Sequence, residues 1–295
     1  MKRTNIILTG IFIILLVIAF FVLRRQGEIS DSVESRDFFF KLDSNTIDKF
    51  VIKNVFGKFT LEKKGIAWYV KSPIEFPADE KRMIKAVSQC GNLKLIDVIS
   101  NNPANQTVYK VDTSSTLVTV YAKGMEKARF YVGKASPNFM ESFVRRDNSK
   151  DVVLVPGALT YTFNVPLRDW RNKTIFLEDI SRIKEIYVEN KSEKFTVKFA
   201  DSTWLVDGTP ANLNEIKSLL RNLSNYQTDF FEDSVITSLP KLTGTVSVNG
   251  KKIEFFQADS EKYYIKSSQS TQLFWALKWK VGQVLKNKKE LIAEQ

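Results

Sequence analysis

The sequence predicts an α+β protein: an N-terminal transmembrane helix followed by two tandem repeated modules of antiparallel strands with one main helix each. Three observations predict it. An uncharged run of eighteen residues, Ile6 to Leu23, stands near the start of the chain. Apolar and polar residues then alternate with a period of two, as in KFTLEK from Lys58, the pattern that half-buried antiparallel strands require. Finally, the phrase AWYVKSPIEFPADEKRMIKAV from Ala67 returns as TWLVDGTPANLNEIKSLLRNL from Thr203.

As a helix the apolar run reaches roughly 27 Å at about 1.5 Å per residue, close to the hydrocarbon thickness of a bilayer. A cleaved signal peptide would have a shorter apolar region ending in small residues. Here the run ends in Leu23-Arg24-Arg25-Gln26, and no Cys follows to carry a lipid. An uncleaved anchor is therefore expected over residues 1–25, with Ile6 and Leu23 bounding the span. Lys2 and Arg3 lie before it, and Arg24, Arg25, Arg36 and Lys41 lie after it. That count alone would keep the bulk of the chain in the cytoplasm, yet long domains cross largely regardless of charge, so charge leaves the orientation open. Residues 26–41 are polar, with Ser30, Ser32 and Ser35 among acids, and read as a tether.

The first module, residues 42–165, opens with the strand-like runs KFVIKNV from Lys49, KFTLEK from Lys58 and AWYVK from Ala67, punctuated by Gly57 and Gly65. Asp79 is the expected N-cap of the helix that follows, which aligns Met83, Val87 and Cys90 on one face. Cys90, the single cysteine, thus reads as a core residue rather than a nucleophile. After a connector at 166–178, the second module, residues 179–295, repeats the plan. Phe50, Phe59, Trp68 and Val70 recur as Ile186, Phe195, Trp204 and Val206, all at an offset of 136. A loop shorter by three residues brings Pro77, Ala78 and Asp79 onto Pro210, Ala211 and Asn212. Glu215 stands where a capping-box partner would, and Ile216, Leu220 and Leu223 replace Met83, Val87 and Cys90. TLVTVYAKG, KARFYVG and SFVRR are echoed later by GTVSVNGKK, IEFFQ and YYIKS. Trp68 and Trp204 read as strand aromatics buried on the following helix, with the indole N–H near a partner, rather than as ligand-stacking platforms.

Composition narrows the chemistry. The chain has no histidine, which excludes Ser-His-Asp and Cys-His catalysis, HExxH zinc sites and two-His-one-carboxylate iron sites. One cysteine permits neither an internal disulfide nor a multi-cysteine metal site. No GxxxxGK[ST] loop or GxGxxG turn occurs, so nucleotide binding by those devices is not expected. The formal charge of +11 falls to about +7 once Lys2, Arg3, Arg24 and Arg25 are set aside, an excess that reads as a solvated basic surface rather than a nucleic-acid site. No cofactor and no metal are expected.

The W-x-V strand leading to Pro77-Ala78-Asp79, YKVDTSSTLVTVYAKG from Tyr109, YVGKAS from Tyr131, SFVRRDNSKDVVLVPG from Ser142 and PLRDWRNKTIF from Pro166, together with the apolar anchor, resemble the bacterial family known as domain of unknown function 4340. The chain departs from that family's usual Tyr-Gly-Leu-Asp by reading Tyr109-Lys110-Val111-Asp112. The resemblance implies a single-pass protein of the cytoplasmic membrane with its C-terminal domain outside, often encoded beside ABC transporter subunits of the gliding-motility type. It implies no catalytic residues.

The expected function is that of a non-enzymatic, membrane-anchored accessory or binding protein of the cell envelope, with the bilayer and ABC transporter subunits as partners and no nucleic acid or nucleotide. The alternative is an envelope glycan hydrolase using two carboxylates, at separations of about 5 to 9 Å. A candidate partner or lipid surface is the C-terminal stretch from Leu273, where Lys278, Lys280, Lys286, Lys288 and Lys289 interleave with Leu277, Trp279, Val281 and Leu285. The first module has no evident sequence counterpart of this stretch. Its plainer reading is a final element closing the core with a solvated lysine face.

Overall fold

A computed structural model describes residues 38–293. The expected anchor, with Ile6 and Leu23, and most of the tether lie outside the described residues. Among the described residues no helix is long and apolar enough to cross a membrane. The chain divides into two compact units between Trp170 and Arg171.

The strands of the first unit are β1 (Phe38–Phe40), β2 (Ile47–Asn54), β3 (Gly57–Lys64), β4 (Ala67–Ser72), β5 (Phe76–Pro77), β6 (Leu93–Lys94), β7 (Asp97–Ser100), β8 (Thr116–Ala122), β9 (Met125–Ala135), β10 (Glu141–Arg146) and β11 (Val152–Pro156). Nine of them form an antiparallel sheet in the order β5-β4-β3-β2-β8-β9-β10-β11-β7, while β1 pairs with β6. The register follows the pleat. Phe50 on β2 lies opposite Leu61 on β3 and Val120 on β8, and all three are fully buried. Helix α1 (Glu80–Cys90) adds Met83, Ala86 and Cys90 to the same core, with Val87 half-buried at its margin. Asp79 caps it as expected, accepting from the Arg82 backbone N–H at 2.8 Å. Two shorter helices, α2 (Asn105–Val108) and α3 (Leu159–Phe163), complete the unit.

The second unit runs through β12 (Thr174–Phe176), β13 (Glu185–Asn190), β14 (Lys194–Ala200), β15 (Thr203–Val206), β16 (Thr209–Pro210), helix α4 (Leu213–Ser224), β17 (Tyr226–Gln227), β18 (Leu242–Val248), β19 (Lys251–Gln257), β20 (Lys262–Ser267), β21 (Ser270–Leu277), α5 (Lys278–Val281) and α6 (Lys288–Leu291). Its sheet has the order β16-β15-β14-β13-β18-β19-β20-β21, and β12 pairs with β17. Strand for strand this is the first unit's plan. Where the first sheet adds β7 beside β11, the second has a bridge from Phe231 to Phe274 on β21. The offset of 136 extends to turns. Asp43 accepts from Asn45 N and Asp179 from Ser181 N, each opening a short 3-10 turn into the first long strand of its unit.

Four expectations are corrected. First, the tryptophans are half-buried, Trp68 against Phe50 (ring centroids 5.6 Å apart) and Trp204 against Phe199 (5.4 Å), because both sit toward the end of the sheet. Second, Glu215 forms no capping box: Asn212 caps α4, while the Glu215 carboxylate accepts from Lys286 at 3.2 Å. Third, the stretch 166–178 is packed: Leu167–Trp170 forms a turn that places Trp170 in the first core, and Thr174–Phe176 is β12.

The fourth concerns the C-terminal stretch, which does have a counterpart. The N–H of Asp79, just ahead of α1, donates to Trp170 O at 2.8 Å, and that of Asn212, ahead of α4, donates to Leu291 O at 2.8 Å. Asn54 donates through Nδ2 to Phe163 O and Val165 O, and its counterpart Asn190 to Lys286 O. The segments Leu159–Trp170 and Lys280–Leu291 thus close their units in the same way. Backbone carbonyls make the contact, so the side chains were free to diverge beyond recognition.

Candidate functional site

Three of the quoted motifs converge on the first unit, beside a second small core. Phe130 and Val144 point into the main core, so their neighbours Tyr131 and Phe143 point to the opposite face of the sheet. There they bury Val111 and Val152, with Tyr109, Leu117 and Leu154 around them. The loop after α2 covers this patch. Lys134 N donates to Tyr109 O at 3.1 Å, and a Cβ on Gly133 would lie only 2.2 Å from that same oxygen. Glycine is required there because two backbones touch. Lys110 sits at φ 55°, the left-handed region where glycine costs least.

Arg145 holds the assembly from below. Its side chain is buried, donates through Nε to Val111 O at 2.8 Å and through Nη1 to Ser149 O at 2.9 Å, and lies 4.4 Å from the Tyr131 ring. The guanidinium is spent on carbonyls and is a structural clamp. In the second unit Arg171, from the PLRDWRNKTIF motif, is also buried; Nη1 reaches both oxygens of Asp233, at 2.9 and 2.7 Å, and Nη2 reaches Gln272 at 2.8 Å.

Above the covered patch the same loop borders an open groove of about 650 Å³, a size suited to a ligand. Lys110, Asp112, Ser114, Gly133, Lys134, Phe139 and Tyr161 are among the residues that line it. Thr160 fixes α3 to β9 by donating to Gly133 O at 2.7 Å. Asp112 Oδ1 accepts from the N–H and hydroxyl of Ser114, at 2.9 and 2.5 Å, and the Ser114 hydroxyl is the chief cause that holds its carboxyl below the ordinary value. A carboxylate so satisfied is poorly placed to act as a base. Phe139 is 63% exposed at φ 61°, at the tip of the β9–β10 hairpin, and Tyr161 is 52% exposed with its ring 6.4 Å away. Sequence reading missed both rings, since nothing local marks Phe139 as a left-handed tip residue or Tyr161 as the outward position of a short helix.

A second recess of about 470 Å³ is lined by Phe39, Phe40, Lys127 and Arg146 and carries two carboxylates, Glu126 and Asp147. Asp147 is held by Arg129 at 3.0 Å. Among the described residues no cluster of three or more His, Cys, Asp or Glu could hold a metal ion.

The five lysines of the C-terminal stretch meet different fates. Lys286 is 16% exposed, between Glu215 at 3.2 Å and Glu290 at 3.5 Å. Lys288 pairs with Asp207 at 2.7 Å, and that pairing lowers the Asp207 carboxyl. Lys280 lies over the rings of Tyr226 and Trp279. Lys278 and Lys289 remain exposed, beside a Trp279 that is 65% exposed.

A family model described as a domain of unknown function, DUF4340, matches residues 68–239, more than half of the chain. The chain belongs to this family. The family match runs from Trp68 on β4 through the groove and into the second unit, ending between β17 and β18, so its limits cut across both repeats. No curated protein and no solved structure matches the chain.

Proposed function

We propose that the protein is a membrane-anchored accessory or binding component of the cell envelope that works beside an ABC transporter and carries out no reaction of its own. The observation that carries this reading is the uncharged run from Ile6 to Leu23, which ends without a cleavage site ahead of two folded units. The family resemblance supports the transporter association and an extracytoplasmic placement. The groove supports binding rather than catalysis, since its carboxylate, Asp112, is held by Ser114 and Ser115. The competing reading, a glycan hydrolase, would centre on Glu126 and Asp147 in the smaller recess.

Crosslinking in intact membranes followed by capture of the full chain tests the first reading, which expects transporter subunits among the products. Extraction should need detergent, and release of full-length protein by a carbonate wash would refute the anchor. Protease protection of the bulk of the chain in spheroplasts would place it in the cytoplasm instead. Glycan cleavage lost in Glu126→Gln and Asp147→Asn would favour the hydrolase.

A further inference from the structure

We infer that the groove of the first unit is a glycan-binding site, suited to an oligosaccharide that carries acidic groups. The inference rests on the envelope reading above only for where such a polymer would be met.

Two aromatic rings stand in water at the groove, Phe139 on the β9–β10 turn and Tyr161 on α3. Phe139 does so in a backbone conformation that costs free energy for any residue with a Cβ, and more for a bulky one. The hairpin tip enforces it: Phe139 N donates to Ser136 O at 2.9 Å, and Met140 N to Asn138 Oδ1 at 2.9 Å. A tip that needed only to turn would place a glycine or asparagine there. Tyr161 faces the ring from α3, whose position is set independently by the Thr160 bond to Gly133 O.

Besides the rings, the groove is lined by Lys110, Asp112, Ser114, Lys134 and Asn164 together with the apolar Val55 and Val132. Aromatic faces beside closely spaced donors and acceptors match the alternation of apolar C–H faces and hydroxyl groups along a sugar ring. A lipid chain would meet two ammonium groups and a carboxylate here. A nucleotide would find no glycine-rich cradle and no arginine in the wall. Asp112 is the groove's carboxylate and Lys110 and Lys134 its ammonium groups, so the charge favours an anionic ligand.

The second unit provides an internal contrast. Its strands β19 to β21 place Phe256, Tyr264 and Trp275 side by side on the corresponding outer face, with Phe230 stacked on Trp275 at 3.9 Å. Lys262 lies 4.7 Å from the Trp275 ring. Between the Phe231 bridge, which matches β7 beside β11, and β18 the second unit has no helix to match α2 and the Tyr109–Asp112 loop after it. The groove is thus a feature of one copy of the repeat.

The test is calorimetric titration of the full chain in nanodiscs with three probes: a uronic-acid hexasaccharide, a neutral glucan hexasaccharide and an acidic hexapeptide. The uronate should bind, more tightly than the neutral sugar, and the peptide should not. Phe139→Ala and Tyr161→Ala should each weaken uronate binding by about two- to tenfold, the range expected of one aromatic contact. Lys110→Gly, which keeps the left-handed turn, should narrow the gap between acidic and neutral sugars. Unchanged melting temperatures in the variants verify their folds. If neither sugar binds, if the peptide binds better, or if both aromatic variants bind like the parent chain, the assignment is overturned. A chain that binds uronate but sits in the cytoplasm keeps the groove and loses the envelope reading. A chain crosslinked to a transporter that ignores both sugars does the reverse.

Discussion

Cys90 shows how one residue's surroundings set its chemistry. It is fully buried on α1, and burial alone pushes its thiol well above the ordinary value because the thiolate would have to form without water. Iodoacetamide should leave the native chain unmodified at pH 8 and label it once urea is added; labelling of the native state would mean that α1 opens readily. Glu178 is the opposite case. Its side chain is nearly buried and paired to Lys251 at 2.8 Å, and that hydrogen bond is among the causes that hold its carboxyl below the ordinary value of 4.5, the first of them in size. A carboxylate with a depressed native pKa stabilises the fold above its unfolded pKa, and the contribution is lost as pH falls through the native one. Denaturant midpoints should therefore decline below about pH 4.5 in the parent chain, and less steeply in Glu178→Gln. A variant with the same acid profile would show that this pair contributes nothing to the pH dependence.

Elements explain why the repeat is legible in some places and hidden in others. The helix caps are legible because Asp79 and Asn212 do the same job with side chains, accepting from N–H groups of the first turn. Asp79→Ala and Asn212→Ala should each cost about 1 kcal/mol of stability by urea titration, and a loss from only one of them would mean that the two caps are not equivalent. The closing segments are hidden because carbonyls of Trp170 and Leu291 do the work, and any residue supplies a carbonyl. For the same reason a lysine-rich, aromatic stretch read as an unshared addition is a shared element with unshared side chains. Its lysines divide accordingly. Lys286→Gln should lower stability by up to about 1 kcal/mol, since it unpairs Glu215 in a partly buried setting, whereas Lys278→Gln with Lys289→Gln should stay within about 0.5 kcal/mol of the parent. Equal effects would place all these lysines on one solvated face.

At the scale of the whole molecule, the sequence by itself determined the class and the duplication. Period-two alternation specifies antiparallel strands wherever one face is buried, and a constant offset of 136 from Asp43 and Asp179 through Val70 and Val206 leaves no freedom in how the two copies begin. It also determined which catalytic devices are impossible, since a chain without histidine cannot build them. The membrane span Ile6 to Leu23 is a reading of hydropathy and lies outside the described residues. The tertiary structure alone decided the site. Lys110, Gly133, Phe139 and Tyr161 come from a loop, a strand, a hairpin tip and a short helix, and each looks ordinary in its own stretch. What makes them a groove is the covering of one sheet face by the Tyr109–Asp112 loop, held by a buried Arg145. That arrangement depends on carbonyl positions and backbone angles set by long-range packing, and local sequence patterns carry no record of either.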